Sequence, residues 1–267
     1  MRMYAIIDDE NKAEVGTLLY FDKNKEFIIE LKENLDEWNA PLLFTGYVKQ
    51  NIFTISRKIS RVWVQERIIP SGRQNIGSIL KRHKLKQYDE MDFLELSKGK
   101  CAQDSMYIEK ISGLPSYALE RREKCIVEAV PLSDGRLLCF FRNKKCKKVD
   151  LNILNAYRGI DQVLTNRTLF ESVMIGCGGY YITFNDSIDI PAYAVYDVGK
   201  DMDAELEDFI TFAQRNIVDT KECCSMLECT RQNLSYMVKQ KYLEPIKEDT
   251  KGNLYLKGAV YSIYENH

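Results

Sequence analysis

Apolar and polar positions alternate along the chain in short, well-punctuated runs, and these set the first expectations. Thr17–Tyr20 and Phe27–Leu31 are β-rich runs flanking the polar stretch DKNK at 22–25, which predicts a hairpin. Ile52–Ile55 predicts another strand, and Pro70-Ser71-Gly72 punctuates the chain before a helix. In that helix Ile76, Ile79 and Leu80 recur at i, i+3, i+4, the spacing of a packed face. A further short helix opens at Asp89 or Glu90 and runs through Leu96, ended by Gly99. LPSYALERRE, 114–123, reads as a linker. Strands then follow in CIVEAVPL, LLCFF and CKKVDL, with Asp134-Gly135 and Asn143-Lys144 where hairpins turn. A helical or irregular stretch runs through NRTLFESV, and GCGGYYITF and SIDIPAYAVY close the segment. In AELEDFITFAQRNIV, Leu206, Phe209, Ile210, Ala213 and Ile217 stand at helical spacing, predicting a packed amphipathic helix. The fold class expected is α+β, a multidomain chain of small β-rich modules divided as 1–112, 124–200 and 203–267. There is no long internal repeat and no low-complexity tract.

Residues 219–263 read DTKECCSMLECTRQNLSYMVKQKYLEPIKEDTKGNLYLKGAVYSI. Thr220 can cap a helix whose first turn carries Glu222, a charge that suits the positive end of the helix dipole. Cys223, Cys224 and Leu227 form its inner face. A turn at Glu228-Cys229 leads to Thr230, the N-cap of a second helix that buries Leu234, Met237 and Val238. Arg231, Gln232, Ser235, Tyr236 and Lys239 then point outward. Two short helices, a tight turn and a polar outer face make a helix-turn-helix. Ile246 and Leu254–Leu256 flank KEDTKGN, a hairpin placed as a wing, and Val260 lies on a last helix that packs back.

This stretch resembles the winged helix-turn-helix of the excisionase and MerR type in its Thr-x-Glu start, its turn before Thr230-Arg231 and its wing. The resemblance covers about the last fifth of the chain and implies binding of double-stranded DNA. Thr230, Arg231, Gln232, Ser235, Tyr236 and Lys239 would then face the major groove, and Lys251 and Asn253 the backbone. Arginine can contact phosphate or a guanine edge, and Gln or Asn can pair with adenine. Glu228 and Lys241 depart from the pattern by standing where Gly is frequent. A left-handed conformation at such a residue costs on the order of 1 kcal/mol. Glu248 and Asp249 put acid on the wing tip, and from 219 onward the basic residues only balance the acidic ones. Weak non-specific affinity follows, because phosphate neutralisation supplies most of that term.

RQN recurs at 73–75, but no capped helix and turn precede it, so the likeness to 231–233 is local. Lys49, Arg57, Lys58, Arg61, Arg67, Arg73, Lys81, Arg82, Lys84 and Lys86 crowd one region against the single acid Glu66. Gathered on one face, with Trp63 as a stacking platform, they would suit a nucleic-acid backbone. Paired with the acids around Asp89–Glu95, with Trp63 in the core, they would be structural. The second reading weighs more, since large aromatics are usually buried.

The middle segment has a strand–turn–strand ending at Asp150-Leu151, a Leu169-Phe170 pair, Gly178-Gly179 before a strand, and Asp189-Ile190 with Tyr196 near the end. In these it resembles a small bacterial family, domain of unknown function 2442, with Phe184 where Trp is frequent. The resemblance covers about a quarter of the chain. It implies a compact α+β module, sometimes joined to a DNA-binding domain, and no established chemistry.

Composition narrows the classes. A net charge of −1 over 267 residues excludes a polyanion binder by bulk charge, so any nucleic-acid contact is a local patch. The start MRMYAIIDDE is too short for a signal-peptide core, and LLCFF suits a buried strand rather than a span. A cytoplasmic protein with no membrane association is expected. Eight cysteines without a C-x-x-C pair, and only His83 and His267 beside them, argue against zinc and for free thiols. Cys177 in GCGG has neither histidine near it in sequence, so no nucleophile is assigned. No catalytic residue, metal or cofactor is expected. The function expected is a DNA-binding transcriptional regulator or accessory factor. The alternative is a protein–protein adaptor whose helix-turn-helix does not bind DNA. A protein partner or a homo-oligomer is compatible with either.

Overall fold

Short strands and short helices joined by tight turns make up both halves of the chain. The computed structural model describes residues 1–132, 134–202, 206–249 and 252–266. It is an α+β structure in two units, Met1–Glu120 and Arg121–His267. The segments 124–200 and 203–267 both fall within the second unit.

The first unit holds β1 (Arg2–Asp8), β2 (Ala13–Phe21), β3 (Glu26–Leu31), α1 (Thr45–Lys49), β4 (Thr54–Ile55), α2 (Arg57–Gln65), α3 (Ile76–Arg82), α4 (Glu90–Ser97) and β5 (Met106–Lys110). Its strands form one antiparallel sheet in the order β4-β3-β2-β1-β5. The DKNK hairpin is present, and Lys25 takes the left-handed turn conformation. β2 is closely backed by β3: a Cβ on Gly16 would stand 2.4 Å from the Glu30 carbonyl oxygen. Ile6, Leu18, Tyr20, Ile29 and Leu31 from the sheet pack with Phe44, Trp63, Val64, Met91 and Leu94. Asp89 caps α4 by accepting from the Met91 and Asp92 amides.

One strand is added and one expectation changes here. The start of the chain, too short for a signal-peptide core, supplies β1, the strand between β2 and β5. The expected linker is a helix, α5 (Ser116–Arg122). Pro115 accepts the first helical hydrogen bonds from Ala118 and Leu119, and Tyr-Ala-Leu-Glu-Arg-Arg then propagates a helix without interruption. Ala118 is buried, and the Tyr117 hydroxyl donates to Glu14 at 2.7 Å and lies 2.8 Å from the Thr17 hydroxyl.

The second unit begins with β6 (Ile126–Pro131), β7 (Arg136–Phe141) and β8 (Cys146–Asp150). It continues with α6 (Ile160–Thr165), α7 (Arg167–Glu171), β9 (Val173–Ile175), β10 (Tyr181–Phe184), β11 (Ile188–Pro191), α8 (Ala192–Val198) and β12 (Lys200–Asp201). Two antiparallel sheets result, β12-β8-β7-β6 and β11-β10-β9. Asp134, Gly135 and Lys144 take positive φ at the two predicted turns. The glycines of GCGG are steric: a Cβ on Gly179, at φ +79°, would lie 2.1 Å from the Ile126 carbonyl oxygen. Leu137, Phe141, Val149, Ile160, Ile182, Phe184 and Val195 form the core between these elements.

α9 (Leu206–Asn216) follows, then β13 (Ile217–Asp219), α10 (Thr220–Met226), α11 (Arg231–Lys239), β14 (Lys247–Asp249), β15 (Gly252–Leu256) and α12 (Lys257–Asn266). α9 exists as predicted, but with a different face inward. Phe209 and Ile210 are about half exposed, and Ile217 leaves the helix for β13. Phe212 packs on Phe140 with ring centroids 4.8 Å apart, Asp208 pairs with Lys148 at 2.8 Å, and buried Asn216 donates to the Phe212 carbonyl. An aromatic contact and an ion pair fix the phase of the helix on the sheet, overriding the aliphatic stripe.

Candidate nucleic-acid interface

The C-terminal helices stand on a three-stranded sheet, β13-β15-β14. Their common core is Val218, Cys223, Leu234, Leu243, Tyr255 and Val260, with Leu227 and Val238 packed against it.

Asp219, rather than Thr220, is the N-cap of α10. Its carboxylate accepts from the Glu222 amide at 2.8 Å, while the Glu222 carboxylate accepts from the Asp219 amide at 2.9 Å, a reciprocal capping box. Asp219 ends a strand and so already has the extended conformation a cap needs. The Thr220 hydroxyl is thereby released to join helix to sheet. It accepts from the Asn253 amide at 3.0 Å and donates to the Asn253 carbonyl at 3.2 Å.

α10 ends at a left-handed residue, Glu228 (φ 52°), and the Cys229 amide donates to the Cys224 carbonyl at 3.0 Å across the turn. Thr230 then caps α11, its hydroxyl accepting from the Asn233 amide at 3.3 Å. α11 closes in the same manner at Lys241 (φ 58°), where the Tyr242 amide reaches the Met237 carbonyl at 2.9 Å. Both positions where Gly is frequent therefore do hold left-handed backbone.

Leu234 is the buried anchor of α11, with Met237 and Val238 half-buried beside it. The opposite side presents Arg231, Gln232, Ser235, Tyr236 and Lys239, all exposed, and Thr230 is exposed at its start. Asn253 is half-buried, and its backbone serves Thr220. Burial raises the Tyr255 phenol above its ordinary range, and the nearby polar groups of Asn253 and Thr220 partly offset that. Lys251, expected at the wing tip, lies outside the described residues, as does Thr250 beside it.

The N-terminal part of the basic segment of the first unit is held in ion pairs. Lys49 pairs with Glu37 and Arg57 with Glu26, each at 2.6 Å; Arg61 pairs with Glu90 at 3.0 Å, and Arg67 pairs with Asp104. Trp63 is 1% exposed, and the Arg67 guanidinium lies 3.8 Å from its ring centre. It belongs to the core and offers no surface on which a base can stack. Ile76, Ile79 and Leu80 of α3 are only half-buried, and Lys81, Arg82, Lys84 and Lys86 remain exposed.

Cys177 is buried in the glycine turn. Among the described residues no group of three or more His, Cys, Asp or Glu side chains is placed to hold a metal ion, and no helix is long and apolar enough to cross a membrane. Two relationships were not visible in the sequence. Buried Glu128 on β6 receives the Gly258 amide, and Cys224 and Cys229 are brought side by side across the turn by their backbone hydrogen bond. The spacing of five between those cysteines becomes a close approach because Glu228 is left-handed. Comparison of the chain with protein-family models, curated proteins and solved structures gives no match.

Proposed function

We propose that the chain is a DNA-binding regulator or accessory factor of the cytoplasm, reading duplex DNA through a winged helix-turn-helix at 219–266. The observation that carries this reading is the exposed row Arg231, Gln232, Ser235, Tyr236 and Lys239 on a helix capped by Thr230 and anchored by Leu234. A short helix fixed at its start and along its back, with long polar side chains outward, meets the geometric need of major-groove readout. Arg231 and Gln232 sit in the first turn, where such helices approach base edges, and Lys239, exposed in the last turn, would meet phosphate. With Arg231 and Lys239 as its cations, the helix neutralises about two phosphates, so a salt slope of roughly −2 is expected.

The test is retention on duplex DNA over a salt series. The wild-type chain is retained at low salt, and the double variant Arg231→Ala/Lys239→Glu is not. Selection from random duplexes yields an enriched motif. Equal retention of both proteins would overturn this reading.

A second reading, an adaptor, is favoured by a specific feature. Tyr236, Tyr242 and Ile246 are all about half exposed around the C-terminal end of α11, beside Glu244 and Glu248. Aromatic and aliphatic surface flanked by acid suits a protein partner better than a phosphate backbone. That reading predicts a partner that co-purifies after nuclease treatment and is lost in Tyr236→Ala/Tyr242→Ala.

A further inference from the structure

The turn between α10 and α11 holds an arrangement that DNA binding does not use. The Cys224 and Cys229 side chains both pack against the shared core of the C-terminal helices, on the same side of the turn. Their backbones are also joined, by the 3.0 Å bond from the Cys229 amide to the Cys224 carbonyl. That closure folds the chain back on itself at left-handed Glu228 and holds the two residues side by side. Disulfides form across Cα separations of roughly 4.4–6.8 Å, which a directly hydrogen-bonded pair satisfies. Both residues are half-buried, with part of each surface open to a small oxidant. The neighbouring Cys223 points the other way, fully buried in the core of the helix pair beside Leu234 and Tyr255.

We infer that Cys224 and Cys229 are a reversible dithiol–disulfide pair that clasps the turn between the two C-terminal helices. The reaction with hydrogen peroxide is balanced: each thiol gives up one proton and one electron, a sulfur–sulfur bond forms, and the peroxide becomes two waters. A small disulfide such as oxidised glutathione serves equally, leaving as two thiols after exchange. The bond sets the two sulfurs about 2.05 Å apart. Cys229 immediately precedes Thr230, so the clasp acts on the residue that caps α11. Burial raises the Cys229 thiol, and closure therefore accelerates as pH rises. Cys223, pushed up to about 12 by burial, stays a thiol. The clasp itself does not depend on whether α11 reads DNA.

Mass spectrometry tests it on the full chain. Trypsin releases 222–231, ECCSMLECTR, which contains Cys223, Cys224 and Cys229 and none of the other cysteines. After peroxide or oxidised glutathione, denaturation and alkylation, the expected peptide is two hydrogens lighter and carries a single alkyl group, placed by fragmentation on Cys223. Dithiothreitol before alkylation restores three groups. Cys224→Ser and Cys229→Ser each abolish the loss of two hydrogens, whereas Cys223→Ser keeps it. Three alkylated cysteines in the oxidised wild-type peptide would overturn the inference, as would a bridge between Cys223 and Cys224 or a link to another peptide. Salt-dependent DNA retention of the oxidised and reduced forms is a separate reading, whose failure leaves the mass result intact.

Discussion

The carboxylate of Glu128 on β6 accepts a hydrogen bond from the backbone amide of Gly258, in the first turn of α12. Burial, the largest influence, raises this carboxyl from its ordinary 4.5 to about 7, although the Gly258 bond and nearby Lys257 pull the other way. A carboxyl whose folded value lies above its unfolded value stabilises the fold fully below about pH 4.5, and that contribution fades as pH rises to 7. The loss amounts to about 3 kcal/mol across this window. Glu128→Gln keeps an acceptor for Gly258 without a charge to bury. Chemical denaturation from pH 4.5 to 8 should show the wild type losing stability with pH and the variant changing much less, with the variant the more stable at pH 8.

Gly258 is glycine because the chain passes close to β6. A Cβ there would meet the Glu128 carboxylate at 2.5 Å and the Val127 carbonyl oxygen at 2.6 Å. Helix propensity alone favours Gly258→Ala by about 1 kcal/mol. Contact with a carbonyl that cannot retreat costs about 1–3 kcal/mol, and the larger effect decides the sign. Calorimetry should therefore show a lower Tm for Gly258→Ala. A raised Tm would mean that α12 does not approach β6 this closely.

The capping box and the Thr220 bridge make separable predictions. Asp219→Ala removes one half of the reciprocal cap and should cost about 1 kcal/mol. Thr220→Val removes both hydrogen bonds to Asn253, leaving that amide and carbonyl without this partner, and should cost about 1–3 kcal/mol. Were Thr220 the cap and Asp219 an ordinary surface acid, only the Thr220 variant would lose stability in urea titration.

How much of this was legible depended on whether local chemistry or tertiary contact set the outcome. Turns were legible where the residues themselves require them, as at Asp134-Gly135 and DKNK. The outward row on α11 followed from the spacing of Leu234, Met237 and Val238. β1 is not legible locally because MYAII is a short apolar run without turn signals before it. α5 is not legible because a Pro-Ser pair marks a loop as readily as the helix start it makes here. The phase of α9 was set by Phe212 on Phe140 and Asp208 on Lys148, and neither partner is local to the helix. Trp63 lies in the core because the apolar residues it packs with, such as Leu18, Ile29 and Met91, come from elements distant in sequence. The Cys224–Cys229 approach needed a backbone angle at Glu228 that residue types alone do not supply.

Glu228 and Lys241 offer a paired test of the proposed interface. Both sit in left-handed backbone, at φ 52° and 58°, where glycine carries no side-chain penalty. Glu228→Gly and Lys241→Gly should each stabilise the protein by about 1 kcal/mol in urea titration. Their electrostatic effects are opposite. Glu228 places an acid in the turn before α11, and Lys241 places a cation just after it. If α11 faces phosphate, Glu228→Gly strengthens retention on duplex DNA at low salt and Lys241→Gly weakens it, while the stability gains have the same sign. Equal retention of the two variants, with both more stable than the wild type, would show that the backbone reading is right and that no polyanion lies against this face.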